Sequence, residues 1–251
     1  MAARRARRWW WLFAVVVTLG LTGYMVSAYL PPDLATSRVD VHGDPVRYWL
    51  LAGHIGFGTI ATVAGLAQFW PWLRRTRPRA HRWAGRVYFF AGVFPAMVLT
   101  VPVVLASESG MSNVSALATM LVMWAITGVA GLRAARSRRF SDHRAWMIRN
   151  YAVTVSVHAS RLWGAVVIPL VLLQADGPAY QGDTRAIIHD IAGAGAWLGL
   201  FVNLAVVEWY LRRRARPVKT ARNAPSPTGS GSGSGTVPPV AHRLADPAQR
   251  G

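Results

Sequence analysis

Six apolar stretches, each long enough to cross a bilayer as a helix, occupy most of this sequence. A membrane-crossing α-helix needs about 20 predominantly apolar residues, because each residue adds about 1.5 Å and the hydrocarbon layer is about 30 Å thick. The sequence therefore predicts an all-α integral membrane bundle of six transmembrane helices. The six helices are predicted at residues 9–30, 48–73, 87–107, 114–134, 151–174 and 187–211.

The positive charges lie mostly on one side of these six helices. The chain carries 28 lysine and arginine residues against 10 acidic residues, and most of the basic ones fall in the ends and loops of a single membrane face. Loops with an excess of basic residues stay in the cytoplasm. We therefore predict a plasma-membrane protein with both termini in the cytoplasm. The expected partners of its basic loops are anionic lipid headgroups, and the loops are too short to build a nucleic-acid-binding face.

The two ends of the chain differ from the apolar middle. Residues 1–8 form a basic cytoplasmic N-terminus, and residues 9–211 form the transmembrane domain. The first apolar stretch is longer than the core of about 7–15 residues in a typical secretory signal, so we predict a retained first helix, with cleavage as the alternative. Residues 212–251 contain the run GSGSGSG at 229–235 and predict a disordered cytoplasmic tail.

Two of the predicted cytoplasmic loops end in similar sequences. One ends AHRWAGRVY at residues 80–88, and the other ends DHRAWMIRNY at residues 142–151. Each has His-Arg, then tryptophan, then arginine with tyrosine two positions later, at the entrance to an outward-running helix. The pattern indicates either two copies of one helical hairpin or convergence on the same membrane-interface signature.

At these residues the sequence resembles a family of bacterial multi-pass predicted membrane proteins, domain of unknown function 2306. The features that carry the resemblance are the two loop sequences above, the run Arg161-Leu162-Trp163, His54, Gly58 and Gln68. The resemblance implies a membrane location and a helical bundle, and it implies no activity. One position departs from the family pattern, since an apolar residue is expected where this chain has His158.

Arg161 lies near the middle of the fifth apolar stretch, with its backbone about 15 Å from the inner boundary. A charged side chain at the bilayer centre costs about 2.5–3.5 kcal/mol on insertion scales, so it normally faces the bundle interior or water. We therefore expect Arg161 to point inward. Neutral acceptors on neighbouring helices, carbonyls freed at prolines, or a bound anion would hold its guanidinium group.

Helical spacing places further polar side chains on the face that Arg161 occupies and on two other helices. We predict from these faces a site in the inner half of the bundle that binds or conducts a small polar or anionic ligand. The predicted site residues are Arg161, His158, Gln68, Asn203 and His54. The competing interpretation is structural: Arg161 would clamp the helix packing, and His158 would be a packing histidine with one hydrogen bond.

Two other functions are compatible with the sequence. His54 and His189 could be the axial ligands of one haem b in an electron-transfer protein, although no cofactor is predicted in the main hypothesis. Alternatively, the bundle is a structural partner of another membrane protein. The sequence has no cysteine, no glycine-rich phosphate loop, no zinc-protease motif and no nucleophile elbow. It therefore predicts no metal site and favours a non-enzymatic role, with enzyme activity left open.

Overall fold

The computed structural model describes residues 2–215. It confirms the all-α prediction for this range, in which no strand occurs. A π-helical turn, Val87–Val93, joins α4 to α5, and a short 3-10 helix, Leu34–Thr36, follows α1. The α-helices of the described chain are α1 Ala2–Ser27, α2 Pro45–Gln68, α3 Pro71–Thr76, α4 Pro78–Arg86, α5 Phe94–Leu105, α6 Met111–Arg136, α7 Phe140–Thr154, α8 Ser156–Leu172 and α9 Thr184–Ala215.

Several of these helices are long and apolar enough to cross a membrane. Four meet this condition alone: α2, the continuous helix Pro78–Leu105, α6, and Thr184–Arg214 of α9. A fifth arises if α7 and α8 form one span, although the two are bent by 47° relative to each other. α1 contains a shorter apolar stretch, Trp11–Ser27. Four or five helices within residues 2–215 can thus cross a membrane, and the six crossings remain a prediction.

Helical structure extends past the predicted boundaries at several places. The helices α3 and α4 occupy part of a stretch predicted as a loop, and α9 runs to Ala215, into the predicted tail. Arg212 bonds Glu208 at 3.4 Å, and Arg213 lies over the Trp209 ring at 4.1 Å, so side-chain pairs within α9 hold its last turns. The rest of the predicted tail, residues 216–251, lies outside the described residues.

Prolines stand at the starts of three helices and directly after the π-helical turn. Pro45, Pro71 and Pro78 stand in the first turn of their helices, where a backbone N–H would have no helical partner. Pro95 removes a backbone donor at the start of α5, directly after the π-helical turn. The wider turn is one way for a helix to continue past such a residue, and the helix Pro78–Leu105 does continue.

A buried hydrogen-bond network ties the π-helical turn to α6 and α7. The Tyr88 hydroxyl donates to Asn150 Oδ1 at 2.6 Å and lies 2.9 Å from Thr154 Oγ1. The Trp124 indole N–H donates to Thr154 Oγ1 at 2.9 Å, while Asn150 Nδ2 donates to the Trp124 carbonyl at 2.9 Å and to Thr127 Oγ1 at 2.9 Å. Because its members satisfy one another, this network can stabilise a core that contains polar groups.

The tyrosines that end the two similar loop sequences meet in the core. The ring centroids of Tyr88 and Tyr151 are 6.5 Å apart. Tyr88 bonds Asn150 in the second hairpin, whereas the Tyr151 hydroxyl donates to the Thr62 carbonyl in the first hairpin at 3.2 Å. The two similar loop sequences thus lead to tyrosines that join the α2–α5 and α6–α8 halves in the core.

The helix α8 packs mainly against α9, through glycine and serine. A Cβ atom built on Gly195 would lie 2.7 Å from the Ser160 carbonyl oxygen, and one built on Gly199 would lie 2.8 Å from the Ser156 carbonyl oxygen. Only glycine lets two helix backbones approach this closely. The residues Leu162 and Val166 on α8 are exposed.

Candidate functional site

A cavity of about 140 Å³ lies between α1, α2, α5, α6 and the α7–α8 pair. An engineered cavity of about 150 Å³ in another protein admits benzene, so this space suits a molecule of that size. None of its lining residues is exposed. The residues used below are Thr22, Met25, His54, Thr100, Met120 and His158. We take this cavity as the candidate site, because it collects two of the five residues predicted to bind a ligand.

His54 is bonded through one ring nitrogen and leaves the other unpaired. Its Nδ1 lies 3.2 Å from the Ala96 carbonyl oxygen and 2.9 Å from Thr100 Oγ1. A carbonyl only accepts, and Thr100 donates its own hydrogen to the same carbonyl at 2.7 Å, so Nδ1 carries the ring proton. Nε2 is therefore an acceptor, and it has no hydrogen-bond partner among the described residues.

His158 carries its proton on Nε2 instead of Nδ1, and it too has one ring nitrogen without a hydrogen-bond partner. Its side chain is buried, and its Nε2 lies 2.9 Å from Thr22 Oγ1 on α1. Thr22 donates its hydrogen to the Thr18 carbonyl at 2.7 Å, so the proton between the two side chains belongs to His158 Nε2. Nδ1 is then an acceptor, buried and without a partner in the described part of the chain. An unmet buried acceptor destabilises the fold unless a ligand or water bonds it.

The cavity has polar atoms but no charged side chain among its lining residues. Its threonine hydroxyls are already bonded, for example Thr59 to the Ile55 carbonyl at 2.8 Å and Thr62 to the Gly58 carbonyl at 3.0 Å. An anion placed here would lose its hydration without gaining a counter-charge. A neutral molecule that donates hydrogen bonds suits the unpaired imidazole nitrogens better, and His54 Nε2 is the more accessible of the two because His158 Nδ1 is fully buried.

Arg161 is not part of this cavity, and its side chain is exposed. The expectation that it points into the bundle is wrong. Arg161 lies one turn beyond the buried His158 on α8, and at that level no helix of the described chain covers its side chain. The helix α8 buries His158 against α1 and lies along α9, and the Arg161 side chain is left exposed between these two contacts. The side chain has no hydrogen bond or ion pair with the described residues.

The other predicted site residues lie elsewhere in the bundle. Gln68 Nε2 donates to the His81 carbonyl at 3.1 Å and so ties α2 to α4. Asn203 Nδ2 donates to the Ala152 carbonyl at 3.3 Å and to Ser156 Oγ at 3.3 Å, at the bend between α7 and α8. Both residues therefore bond groups at helix junctions, and neither meets Arg161.

His189 lies apart from His54. It is close to the start of α6, where a Cβ built on Gly110 would lie 2.9 Å from His189 Cβ, whereas His54 lines the cavity. The cavity is comparable to one that admits a single benzene ring, and a porphyrin has four pyrrole rings. Haem ligation by His54 and His189 stays a prediction, and this placement gives it no support.

The sequence analysis missed the threonines that orient the histidines. Thr22 fixes the proton of His158, and Thr100 shares the Ala96 carbonyl with His54. Threonine in an apolar helix usually bonds the carbonyl four residues earlier, and both residues do so. In the sequence, each threonine therefore has an ordinary structural explanation and does not by itself indicate a site. Only the packing of neighbouring helices shows that the Thr22 oxygen accepts from His158 and that the Thr100 oxygen lies beside His54.

Comparison with known families gives one match. A family model described as Predicted membrane protein (DUF2306) matches residues 51–211, which is more than half of the chain. The match covers both cavity histidines and begins inside α2, so α1 with Thr22 lies before it. Comparisons with curated proteins and with solved structures find no match.

Proposed function

The chain belongs to the DUF2306 family of predicted membrane proteins, and from its cavity we propose that it binds a small ligand between its membrane helices. The proposed site is the cavity at His54 and His158. One observation carries the proposal: both histidines line the same uncharged cavity, and each has one acceptor nitrogen without a partner. Ligand sites typically combine apolar walls with a few such polar groups.

The ligand class follows from the chemistry of the walls. The two imidazole nitrogens accept hydrogen bonds, so the ligand donates them. The surrounding side chains, such as Met25, Met120 and Leu117, are apolar and give an apolar body its contacts. The cavity volume of about 140 Å³ limits that body to roughly one six-membered ring. We therefore propose a small neutral molecule of phenol or alcohol type, in place of the anion expected around Arg161.

We place this site in a six-span protein of the plasma membrane with both termini in the cytoplasm. The arginine-rich stretch 74–86 supports this orientation, because basic loops stay inside. Its arginines Arg74, Arg75 and Arg79 are exposed and available to anionic headgroups. The exposed Trp72 and Trp83 nearby match the aromatic residues that sit at a membrane interface.

Thermal unfolding of the purified full-length protein tests the ligand proposal, with phenol as the probe. Phenol has one ring and one hydrogen-bond donor, whereas benzene lacks the donor and benzoate is an anion. At matched free concentrations, phenol is expected to raise the unfolding temperature, benzene to raise it less, and benzoate to leave it unchanged. An absence of any shift with phenol would contradict the proposal.

Substitutions then locate the binding. His54→Leu and His158→Leu each remove one acceptor, so each is expected to weaken phenol binding by about 2- to 10-fold. His42→Leu is the matched control, because His42 lies in an exposed loop and does not line the cavity. Equal phenol affinity in all three variants and the wild type would show that phenol binds somewhere else.

A further inference from the structure

Arg161 is an exposed charge on the apolar helix α8. Its side chain makes no hydrogen bond and no ion pair with the part of the chain that the structure describes. On the same face of α8, Ala165 and Ile168 lie one and two turns further along the helix, and both are exposed and apolar. The surface around Arg161 is thus an apolar helix face that carries a single permanent positive charge.

The ion pair between Arg149 and Glu208 gives a reference for the depth of Arg161. Arg149 donates to Glu208 Oε2 from Nε at 3.1 Å and from Nη2 at 2.8 Å. Along the helix path, Arg161 is about 18 Å further from the inner end than Arg149, and about 16 Å short of Leu172 at the outer end of α8. The 47° bend between α7 and α8 shortens the depth that this path spans, and Arg161 lies about half-way along the path. Its placement near the middle of the hydrocarbon layer rests on the six-span orientation proposed above.

An arginine at that depth needs a partner. Charged residues inside membranes pair with one another, bond backbone carbonyls or face water, because lipid acyl chains offer no hydrogen-bond acceptor. The described chain gives Arg161 none of these pairs. The small-residue side of α8 is already used by α9, and the side with His158 is used by α1, so the partner must approach from outside the bundle.

The partner is a carboxylate on another protein rather than on a second copy of this chain. The acidic side chains of the described chain that lie within α9, Asp190 and Glu208, are already bonded to Tyr180 and to Arg149. A symmetric contact between two copies through this face would place one Arg161 against the other, and like charges repel. We propose that the Arg161 face of α8 docks a transmembrane helix of a different protein, one that carries an aspartate or glutamate at mid-membrane depth.

The test uses the full-length protein in phosphatidylcholine vesicles together with a dye-labelled transmembrane peptide. The peptide has a leucine–alanine host sequence with one central glutamate, and the matched peptide has glutamine at the same position. Energy transfer between dyes on the two partners measures association. The glutamate peptide is expected to associate about 3- to 30-fold more tightly than the glutamine peptide.

Substitutions in the protein assign this preference to one side chain. Arg161→Met is expected to abolish the preference for glutamate. Arg185→Met is the control, because it removes an equal charge from a residue at the outer end of α9 and should leave the preference intact. If Arg161→Met fails to fold, a peptide with its glutamate moved by about 10 Å toward one end serves instead, and it should associate no better than the glutamine peptide.

Several results would overturn the proposal. Equal association of the two central peptides would do so, as would a glutamate preference that survives Arg161→Met or the displaced glutamate. Self-association of the chain that requires Arg161 would show that a second copy covers the face. None of these outcomes bears on the cavity proposal, because the phenol measurement needs no partner protein.

Discussion

Tyr48 and Tyr88 are equally buried, but only the Tyr88 hydroxyl is hydrogen-bonded. Both are fully buried, at 0% exposure. The Tyr88 hydroxyl bonds Asn150 and Thr154, whereas the Tyr48 hydroxyl has no partner among the described residues. A buried polar group contributes to stability when it is paired and destabilises the fold when it is not. The same chemical change at these two positions should therefore have opposite effects.

We expect Tyr88→Phe to lower the free energy of unfolding by about 1–2 kcal/mol, because Asn150 and Thr154 lose a partner. Tyr48→Phe is expected to leave it unchanged or to raise it by about 1 kcal/mol, because it removes an unmet group. Reversible unfolding in mixed micelles, followed by tryptophan fluorescence, measures both. Equal losses in the two variants would mean that the Tyr48 hydroxyl is bonded as well.

The single residues also show how far sequence reasoning reaches. His54 and His158 were predicted from their position within apolar helices, and the structure brings both to one cavity. Arg161 was predicted to be internal for a sound energetic reason, but that reason specifies only that a partner exists. It does not say whether the partner belongs to the same chain. The tautomers of the histidines were beyond sequence reasoning, since they depend on contacts of Thr22 and Ala96 across helices.

At the scale of helices, α8 and α9 approach each other so closely that an added side chain would meet backbone atoms. A Cβ on Gly199 would lie 2.8 Å from both Ser156 O and Ser160 N, which are backbone atoms and cannot rotate away. A methyl group there requires the two helices to separate. Gly56 on α2 has nothing within 4 Å of its built Cβ, so the same substitution is free of contact at that position.

Gly199→Ala is therefore expected to destabilise the protein by about 1–3 kcal/mol through overpacking. Gly56→Ala should have no such cost, and it should stabilise slightly because alanine favours helix over glycine. Thermal unfolding curves of the two variants beside the wild type provide the measurement. A Gly199→Ala variant as stable as Gly56→Ala would show that α8 and α9 are not tightly packed.

The helices were predicted from the sequence, but the bend in one of them was not. All six apolar stretches contain helix, because an apolar run of that length has few other ways to pair its backbone. The bend at Val155 was missed, since residues 151–174 contain no glycine or proline near that point. The bend is instead accompanied by side-chain donors from Ser156 and Asn203 to the Ala152 carbonyl. Such donors come from tertiary packing and are not visible in a single helix.

At the scale of the whole molecule, the number of crossings determines which loops share a compartment. The absence of cysteine from the sequence allows single cysteines to be placed without interference. Thr76→Cys and Ser141→Cys fall in stretches predicted to be cytoplasmic, and Ala179→Cys falls in one predicted to be outside. All three positions are exposed.

For six crossings, a membrane-impermeant maleimide is expected to label Ala179→Cys in intact cells. Thr76→Cys and Ser141→Cys should be labelled only after the membrane is permeabilised. Labelling of Ser141→Cys in intact cells would contradict the predicted orientation. Labelling of Ala179→Cys only after permeabilisation would instead indicate that α7 and α8 together do not cross the membrane but return to the side from which they enter.

The hydroxyl of Thr22 has a consequence for comparisons between relatives. It determines which nitrogen of His158 is left without a hydrogen-bond partner, yet it belongs to a helix that precedes the region matched by the family. A chain that shares only residues 51–211 would lose part of the cavity wall together with the group that orients the His158 imidazole. Exchanging the first helix between two such chains would therefore alter which ligands the cavity binds, while leaving the Tyr88–Asn150 hydrogen-bond network unchanged.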